Sequence, residues 1–291
     1  MGVLEQAFEN ARAKTGRVVF PEMDDPRIAE AAAYLKAEGL AEPVFLDEAR
    51  DPREYVDLLL AVRPGLKPSL AERMLAKPLF RAAAMVAKGD ADIMVAGAAS
   101  ATRRVIEAAS MTIGMAEGVA VPSSFFLMVF PDGRELVFAD CAVNVAPDAQ
   151  GLADIAIASA RSANALLGSA HVAMLSFSTG SSGSGVSVDL VAEAAVLVQA
   201  AGVSAVGPVQ ADAALNASIA MKKGVEAGDA NVLIFPSLDA GNIAYKLAQE
   251  LAGAQAVGPF LQGFARPVCD LSRGACVEDI VAATAVTLAM V

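Results

Sequence analysis

The segment from Asp270 to Asp279 places a hydroxyl, a guanidinium and carboxylates close together in a chain of which only 19% is charged. Ser272 and Arg273 are adjacent, and a hydroxyl beside a permanently charged bidentate donor suits an oxyanion or a phosphate. Asp279 falls in the predicted first turn of an apolar helix over 280–291, where a carboxylate facing Ser272 and Arg273 could take or orient a proton. The alternative interpretation is a capped helix start, with Ser272 or Asp270 as the cap and the acidic residues favouring the helix dipole.

A second candidate is the Ser/Gly-rich loop over 176–185, which follows a predicted strand and precedes a predicted helix. Glycines leave backbone N–H groups free to wrap an anion, and hydroxyls add further donors. The loop lacks the Gly-Lys-Ser/Thr ending of an ATPase P-loop and does not match a dinucleotide loop. A flexible surface loop is therefore an equal alternative. The candidate anion-binding residues are Ser178, Thr179, Gly180, Ser182 and Gly183.

A third candidate follows the predicted strand over 230–235. Ligands of parallel sheets lie beyond the carboxyl ends of the strands, and Asp239, Asn242 and Lys246 stand at such an end. Asn242 and Lys246 are one helical turn apart on the same face, an arrangement that suits an anion. Asp239 or Asn242 as a simple helix cap is the alternative.

Asp140 lies in an apolar run, where a carboxylate is costly unless it is paired. We therefore expect a basic or hydrogen-bonding partner for it. Its neighbour Cys141 is predicted to be a small buried hydrophobic residue and not a nucleophile, because no basic cluster in the sequence would lower the pKa of its thiol.

Composition argues against several classes of protein. Apolar residues make up 55% of the 291, enough for one large domain or two ordinary ones, and the net charge of −11 argues against a nucleic-acid partner. The three cysteines, Cys141, Cys269 and Cys276, have no metal-ligand spacing, so we expect reduced thiols, no metal site and a cytoplasmic location. The single histidine, His171, argues against a His-based metal site or a Ser-His triad. Neither a signal peptide nor a membrane-spanning run is visible, so we expect no membrane partner.

Strands and helices alternate along the chain, which predicts an α/β fold with parallel sheets covered on both faces. The exception is a hairpin, predicted from Asp132-Gly133 between the apolar runs 123–130 and 135–142. The other predicted strands cover 17–22, 42–46, 92–97, 171–177, 203–209, 230–235 and the region of Ala256, which leads to a crossing between domains at Gly258-Pro259. The predicted helices cover 1–17, 26–38, 54–60, 69–88, 101–113, 148–167, 187–201, 212–223, 242–252 and 280–291.

Short motifs in a fixed order resemble one family. They are Val19-Phe20-Pro21-Glu22 with Asp24-Asp25, Val95-Ala96-Gly97-Ala98, Ser123-Ser124-Phe125-Phe126, Phe138-Ala139-Asp140-Cys141-Ala142-Val143-Asn144, Leu175-Ser176-Phe177-Ser178-Thr179, Asn231-Val232-Leu233-Ile234-Phe235-Pro236, Asp239-Ala240-Gly241-Asn242 and Asp270-Leu271-Ser272-Arg273-Gly274. Each motif is short, but their joint order and spacing resemble the phosphate acetyl/butyryltransferases, with phosphotransacetylase the most similar type. The resemblance covers nearly the whole chain.

This resemblance implies two three-layer α/β/α domains with mainly parallel sheets, like those of isocitrate and isopropylmalate dehydrogenases, with the site in a cleft between them. Domain one is expected to comprise residues 1–118 and 259–291, and domain two residues 119–258. The implied reaction is reversible acyl transfer, with acetyl as the default group, between CoA and inorganic phosphate. No permanently bound cofactor or metal takes part, and members are commonly homodimers.

The resemblance also implies roles for individual residues. Ser272 stabilises the tetrahedral intermediate, Arg273 binds phosphate or CoA, and Asp279 is the base for the CoA thiol. These roles agree with the chemistry, because a thiolate must form and its attack on the acyl phosphate builds an oxyanion. We therefore expect direct transfer in a ternary complex. Ser124, in another shared motif, is a substrate-binding candidate.

The sequence departs from the family pattern where the family has cations. An arginine near residue 60 is missing or displaced to Arg63, and a helix arginine is replaced by Glu107. Arg103 and Arg104, one turn earlier on that helix, are candidates to replace the lost charge. Gly180 stands where many relatives have a lysine.

These departures keep other functions open. The alternatives are a transferase specific for propionyl or butyryl groups and a non-catalytic, regulatory relative that binds acyl-CoA. A decarboxylating dehydrogenase is a third reading, by analogy of fold alone.

Overall fold

The protein is described by a computed structural model that covers residues 2–46 and 51–291. The chain divides into two compact units. Unit 1 comprises Met1–Pro122 and Gly258–Val291, and unit 2 comprises Ser123–Val257. The chain thus passes between the units after residues 122 and 257, four residues later and one residue earlier than the predicted boundaries after 118 and 258.

The strands are numbered along the chain. They are β1 Arg17–Val19, β2 Glu42–Val44, β3 Ile93–Ala96, β4 Ser123–Val129, β5 Glu135–Ala139, β6 Val172–Leu175, β7 Ala205–Val209, β8 Val232–Ile234, β9 Gln255–Gln262 and β10 Val268–Asp270. The helices are α1 Val3–Lys14, α2 Pro26–Ala37, α3 Pro52–Val62, α4 Pro68–Leu75, α5 Pro78–Lys88, α6 Thr102–Thr112, α7 Ala149–Leu167, α8 Val186–Ala200, α9 Ala211–Leu215, α10 Ala217–Lys223, α11 Leu238–Ala252 and α12 Val277–Ala289.

The sheet of unit 1 has the strand order β2-β1-β3-β10-β9. The first four strands are parallel, and β9 is antiparallel to β10. Helices α1, α2 and α12 pack together, and α3 to α6 form a second group. The connections through α2 and through α3–α5 leave in opposite directions along the sheet, so right-handed crossovers put them on opposite faces. Unit 1 therefore has three layers.

The sheet of unit 2 has the order β4-β5-β8-β6-β7, parallel except for the β4–β5 hairpin. Helices α7 and α8 pack together against this sheet, while α9 packs on β6 and α11 on β5. On the side of α9 and α11 the core is aromatic. The rings of Phe126 and Tyr245 are stacked with their centroids 4.3 Å apart, and the rings of Phe138 and Phe235 are tilted with their centroids 5.2 Å apart. The predicted α/β fold with mainly parallel sheets is confirmed.

Several predicted boundaries were wrong for identifiable reasons. The helix predicted over 69–88 is two helices, because Pro78 lacks an N–H and starts α5 after a break at 76–77. The helix predicted over 212–223 is also two, separated at Asn216, whose side chain caps α10. Gly258-Pro259 lies inside strand β9, and β10 was not predicted as a strand.

Among residues 2–46 and 51–291, no helix has the length and apolar character needed to cross a membrane.

Candidate active site

In unit 1 the parallel strands β1, β3 and β10 end at the same edge of the sheet. Three loops therefore meet there: Glu22 follows β1, the segment 97–99 follows β3, and Ser272 and Arg273 follow β10. The Glu22 carboxylate accepts the Gly97 N–H at 2.9 Å and the Ala99 N–H at 3.3 Å. This is the edge at which α/β proteins bind ligands.

Ser272 and Arg273 are both exposed on a tight turn. The Ala275 N–H donates to the Ser272 carbonyl at 2.9 Å, and the Gly274 N–H donates to Ser272 Oγ at 3.3 Å. The hydroxyl of Ser272 thus accepts from the turn, and its own proton can be donated to a ligand. Two neighbouring donors, one of them a guanidinium, make this turn suited to an anion.

Asp279 lies in the first turn of α12, as predicted. Its Oδ2 accepts the Cys276 N–H at 3.1 Å, which makes Cys276 the N-cap. The interpretation of Ser272 or Asp270 as the cap of this helix was therefore wrong, because the helix starts several residues later. The capping bond holds the half-buried Asp279 carboxylate at the start of α12.

Arg27, which the sequence analysis did not select, contacts two of the three loops. Its Nη1 donates to the carbonyls of Arg273 at 2.9 Å and Ala275 at 2.8 Å, and its Nη2 donates to the carbonyl of Ala98 at 3.0 Å. Nε and Nη2 also pair with Asp25, the N-cap of α2, and this guanidinium holds the pKa of the Asp25 carboxyl below its usual range.

Asp270 ends β10 as a buried carboxyl group that is only 1% exposed. Its Oδ2 accepts the Thr102 hydroxyl at 2.5 Å, and its Oδ1 has no hydrogen-bond partner among the described residues. Gly97 packs so closely that a Cβ there would overlap Asp270 Oδ1 and the Leu271 backbone. Burial, reinforced by the nearby Glu22 carboxylate, raises the pKa of Asp270 to about 7.

A cavity of about 470 Å³ opens at this edge of unit 1. Arg104 and Lys77 lie in its lining together with apolar groups such as Phe80. Arg104 also pairs with Glu107 at 2.9 Å, whereas the adjacent Arg103 is exposed and is not a lining residue. Of the two arginines on α6, the structure thus places Arg104 at the cavity.

Arg63, the third candidate replacement cation, is not among the residues that line this cavity. Its Nη2 donates to the carbonyl of Ser110 near the end of α6, at 2.8 Å. The guanidinium of Arg63 therefore has a backbone partner on that helix.

In unit 2 the carboxyl ends of β5, β8 and β6 likewise share one edge. Asp140, 2% exposed, follows β5 and accepts from the Ser124 hydroxyl, the Asn144 side-chain amide at 2.6 Å and the backbone N–H groups of 142–144. The expected hydrogen-bonding partner thus exists, and it is a set of neutral donors. Ser124 is fully buried, so its hydroxyl supports the Asp140 loop and is not presented to a ligand.

The Asp239–Lys246 motif lies on α11, beyond β8. Gly241 is required there, because a Cβ would overlap the Asp140 carbonyl oxygen and lie 3.0 Å from Cys141 Sγ. Asn242 Nδ2 donates to the Cys141 carbonyl at 3.2 Å, and Asp239 and Lys246 are exposed. The cap of α11 is Ser237, so the interpretation of Asp239 or Asn242 as caps was wrong.

In the Ser/Gly loop over 176–185, several backbone N–H groups donate to acceptors within the protein. The N–H groups of Thr179 and Gly183 bond Ser182 Oγ at 3.0 Å and Ser178 Oγ at 2.8 Å, and the Gly180 N–H bonds the Pro208 carbonyl at 2.9 Å. Ser178 is fully buried. The N–H groups at these three positions are therefore bonded within the protein, and anion binding by this loop stays a prediction.

The described residues contain no group of three or more His, Cys, Asp or Glu side chains arranged to hold a metal ion. Cys141 and Cys269 are fully buried, and burial raises the pKa of both thiols. Their thiols are poorly suited to nucleophilic attack, as the sequence indicated for Cys141.

Arg27, Asp270 and Lys77 were not predicted as site residues, and the sequence around them holds at most a partial signal. The tripeptide Asp25-Pro26-Arg27 predicts a capped helix start. It does not predict the hydrogen bonds of the Arg27 side chain to Arg273 and Ala275, which lie more than two hundred residues later in the chain. Asp270 belongs to a motif already singled out, but its burial depends on the approach of Gly97. Lys77 belongs to no motif that would have predicted its place in the cavity lining.

The comparisons with known proteins agree with one another. The family model for phosphate acetyl/butaryl transferase matches residues 2–63 and 47–288. The phosphate acetyltransferase of Paracoccus denitrificans is 40% identical, covering 99% of this chain and 98% of that protein. That of Pseudomonas aeruginosa is 41% identical over 97% of this chain, and there the chain spans only 44% of the relative's length. A crystal structure of a phosphotransacetylase from Streptococcus pyogenes superposes with a TM-score of 0.93 at 35% identity, covering 99% and 97% of the two chains. The chain therefore belongs to the phosphate acetyl/butaryl transferase family.

Proposed function

We propose that this protein catalyses reversible transfer of an acetyl group between CoA and inorganic phosphate. In one direction acetyl-CoA and phosphate give acetyl phosphate and CoA, and in the other acetyl phosphate and CoA give acetyl-CoA and phosphate. The observation that carries the proposal is the exposed Ser272–Arg273 turn at the carboxyl edge of unit 1, in a chain of this family. A hydroxyl and a guanidinium on one turn are the donors that such an acyl transfer needs.

The residues divide the chemistry as follows. The Asp279 carboxylate, whose Oδ2 already accepts the Cys276 N–H, takes the proton of the CoA thiol. The sulfur then attacks the carbonyl carbon of acetyl phosphate, and the oxyanion that develops accepts hydrogen bonds from Ser272 and Arg273. The C–O bond to phosphate breaks, and phosphate leaves as the thioester forms. Both substrates are bound together, so no acyl-enzyme is required.

The activity is tested by mixing the purified protein with CoA and acetyl, propionyl or butyryl phosphate and following thioester absorbance. We expect the highest kcat/KM with acetyl phosphate. A preference for butyryl phosphate would reassign the acyl group, and the absence of thioester from all three would refute the enzymatic proposal in favour of a binding protein.

We also propose that the 470 Å³ cavity of unit 1 receives a phosphorylated part of a substrate. Arg104, which also pairs with Glu107, and Lys77 supply positive charge. Of the three lining carboxylates, Glu22 is engaged by backbone N–H groups and Asp25 by Arg27, and the third is Asp24. Because Arg104 lines the cavity and Arg103 does not, Arg104 is the residue we propose to supply the charge that the family places one turn later.

Replacing Arg104 with alanine is expected to raise KM for CoA or for phosphate about tenfold, a loss of about 1.4 kcal/mol in binding. Arg103→Ala is the matched control, because that arginine is adjacent and also exposed but does not line the cavity. Initial rates with each substrate varied in turn provide the measurement. Equal effects of the two substitutions would count against the cavity.

A homodimer is proposed from an apolar stripe on α11. Ile243, Leu247 and Leu251 are spaced by four residues and are 57%, 51% and 80% exposed. Such a stripe on a helix surface is typical of association between chains. Light scattering of the wild type and of Leu247→Glu tests this, and a monomeric wild type would refute it. The predicted cytoplasmic location remains a prediction.

A further inference from the structure

We propose that Arg27 is a positioning residue for the reaction: its guanidinium fixes the backbone of the Ser272–Arg273 turn against the loop that follows β3. This inference rests on the proposed function of that turn. Arg27 stands 246 residues before Arg273 in the chain, yet donates to its carbonyl oxygen at 2.9 Å.

The hydrogen bonds of Arg27 account for the whole guanidinium. An arginine has five N–H donors. Nε and one N–H of Nη2 pair with the two oxygens of Asp25 at 3.0 and 2.7 Å. The other three reach the carbonyls of Arg273, Ala275 and Ala98 at 2.8 to 3.0 Å. With all five donors used inside the protein, Arg27 has no N–H group left for a substrate phosphate.

The three carbonyls belong to two of the three loops that form the candidate site, the one after β3 and the one after β10. Ala98 lies in the 97–99 segment, whose N–H groups at Gly97 and Ala99 are bonded by Glu22. Glu22 therefore accepts hydrogen bonds from the N–H groups of this segment, and Arg27 donates one to its Ala98 carbonyl. The Arg273 carbonyl is held by the same guanidinium, so the two loops are joined through one planar group while the Arg273 side chain stays exposed.

Asp25 keeps this guanidinium in place. As the N-cap of α2, Asp25 also accepts the Arg27 N–H at 3.0 Å, so the ion pair is tied to the helix start. The side chains of Arg27 and Asp25 are only 32% and 14% exposed. A lysine at position 27 would keep the charge but lose the fork that reaches several carbonyls at once.

The chain contains its own control. The tripeptide Asp51-Pro52-Arg53 repeats Asp25-Pro26-Arg27 at the start of α3, with the same bond from the arginine N–H to the aspartate at 3.0 Å and the same side-chain pairing. The Arg53 side chain is 89% exposed and its described hydrogen bonds go to Asp51 alone. The two arginines therefore share the capping pair and differ in the carbonyl contacts.

The first test is kinetic. Because small displacements of reacting groups cost about 10²-fold in rate, Arg27→Ala is expected to lower kcat about 10²-fold while KM for CoA and for acetyl phosphate change less than threefold. Arg53→Ala is expected to leave kcat within twofold. A rise confined to KM would make Arg27 a substrate ligand, and an equal fall in both variants would trace the effect to the capping pair. Either result would overturn the proposal.

The second test does not depend on activity. The Ala275 N–H bonds the Ser272 carbonyl within the turn, and its hydrogen exchange reports how well the turn is held. We expect peptides over 271–276 to exchange at least tenfold faster in Arg27→Ala than in the wild type and Arg53→Ala. Unchanged exchange would overturn the proposal even if the wild type is active, whereas an inactive wild type would refute the proposed function alone. Arg27→Lys, judged by the same two criteria, serves if the alanine variant does not fold.

Discussion

Replacing Ser272 with alanine is expected to lower kcat about 10²- to 10³-fold, the usual cost of removing one donor to an oxyanion. The hydroxyl accepts the Gly274 N–H in the turn, which leaves its proton for the oxyanion of the transition state. Since the carbonyl of the bound substrate carries much less charge than this oxyanion, KM should change little. Steady-state kinetics in the direction of acetyl-CoA synthesis provide the measurement.

Stability should be nearly unaffected by this substitution, because Ser272 is exposed. Ser69→Ala, an exposed serine on α4, is the control and should retain wild-type rates. If Ser272 and Arg273 act on the same oxyanion, the double variant Ser272→Ala/Arg273→Gln should lose much less than the product of the single losses. A Ser272→Ala enzyme with wild-type kcat would remove the hydroxyl from the mechanism.

Features of the fold that depend on neighbouring residues could be predicted from the sequence. Asp132-Gly133 between two apolar runs predicted the β4–β5 hairpin, and Gly133 has the positive φ of 88° that its turn requires. The alternation of apolar strands with helices predicted parallel sheets in both units. Pro78 also carried a local signal that the sequence analysis overlooked, since proline commonly starts a helix and rarely continues one.

Features that depend on distant contacts could not be predicted. Nothing in the sequence distinguishes Asp25-Pro26-Arg27 from Asp51-Pro52-Arg53, although only the first has the 270–276 segment beside it. The Ser/Gly loop likewise has a composition typical of anion binding, but its donors are satisfied by its own serines and by the Pro208 carbonyl. Composition indicates what a loop can donate, and tertiary structure decides where those donors point.

The protonation of Asp270 also depends on tertiary contacts, because residues distant in the chain surround its carboxyl group. Its Oδ1 has no partner among the described residues and lies against Gly97, with the Glu22 carboxylate nearby and the Thr102 hydroxyl on the opposite oxygen. Burial and Glu22 favour the neutral acid, while the Thr102 hydrogen bond favours the carboxylate. Burial dominates, which raises the pKa of Asp270 from 3.8 to about 7.

A pKa that is higher in the folded than in the unfolded chain makes the folded state the better proton binder between the two values. The free energy of unfolding therefore falls as the pH rises from about 4 to 7, and the full loss is about 4 kcal/mol at about 1.4 kcal/mol per pKa unit. Asp270→Asn cannot ionise, so it escapes this loss. The free energy of unfolding of the variant minus that of the wild type should therefore increase with pH up to about 7 and stay constant above it.

Urea unfolding of both proteins from pH 5 to pH 9 measures this difference, and the contributions of the other titrating groups cancel in it. Thr102→Val supplies the matched variant: it removes the hydrogen bond that favours the carboxylate, so the pH at which the wild-type loss levels off should move upward. A difference between wild type and Asp270→Asn that does not vary with pH would mean that the carboxyl ionises alike in both states. The buried oxygen would then have a partner, such as a bound water, that offsets its burial.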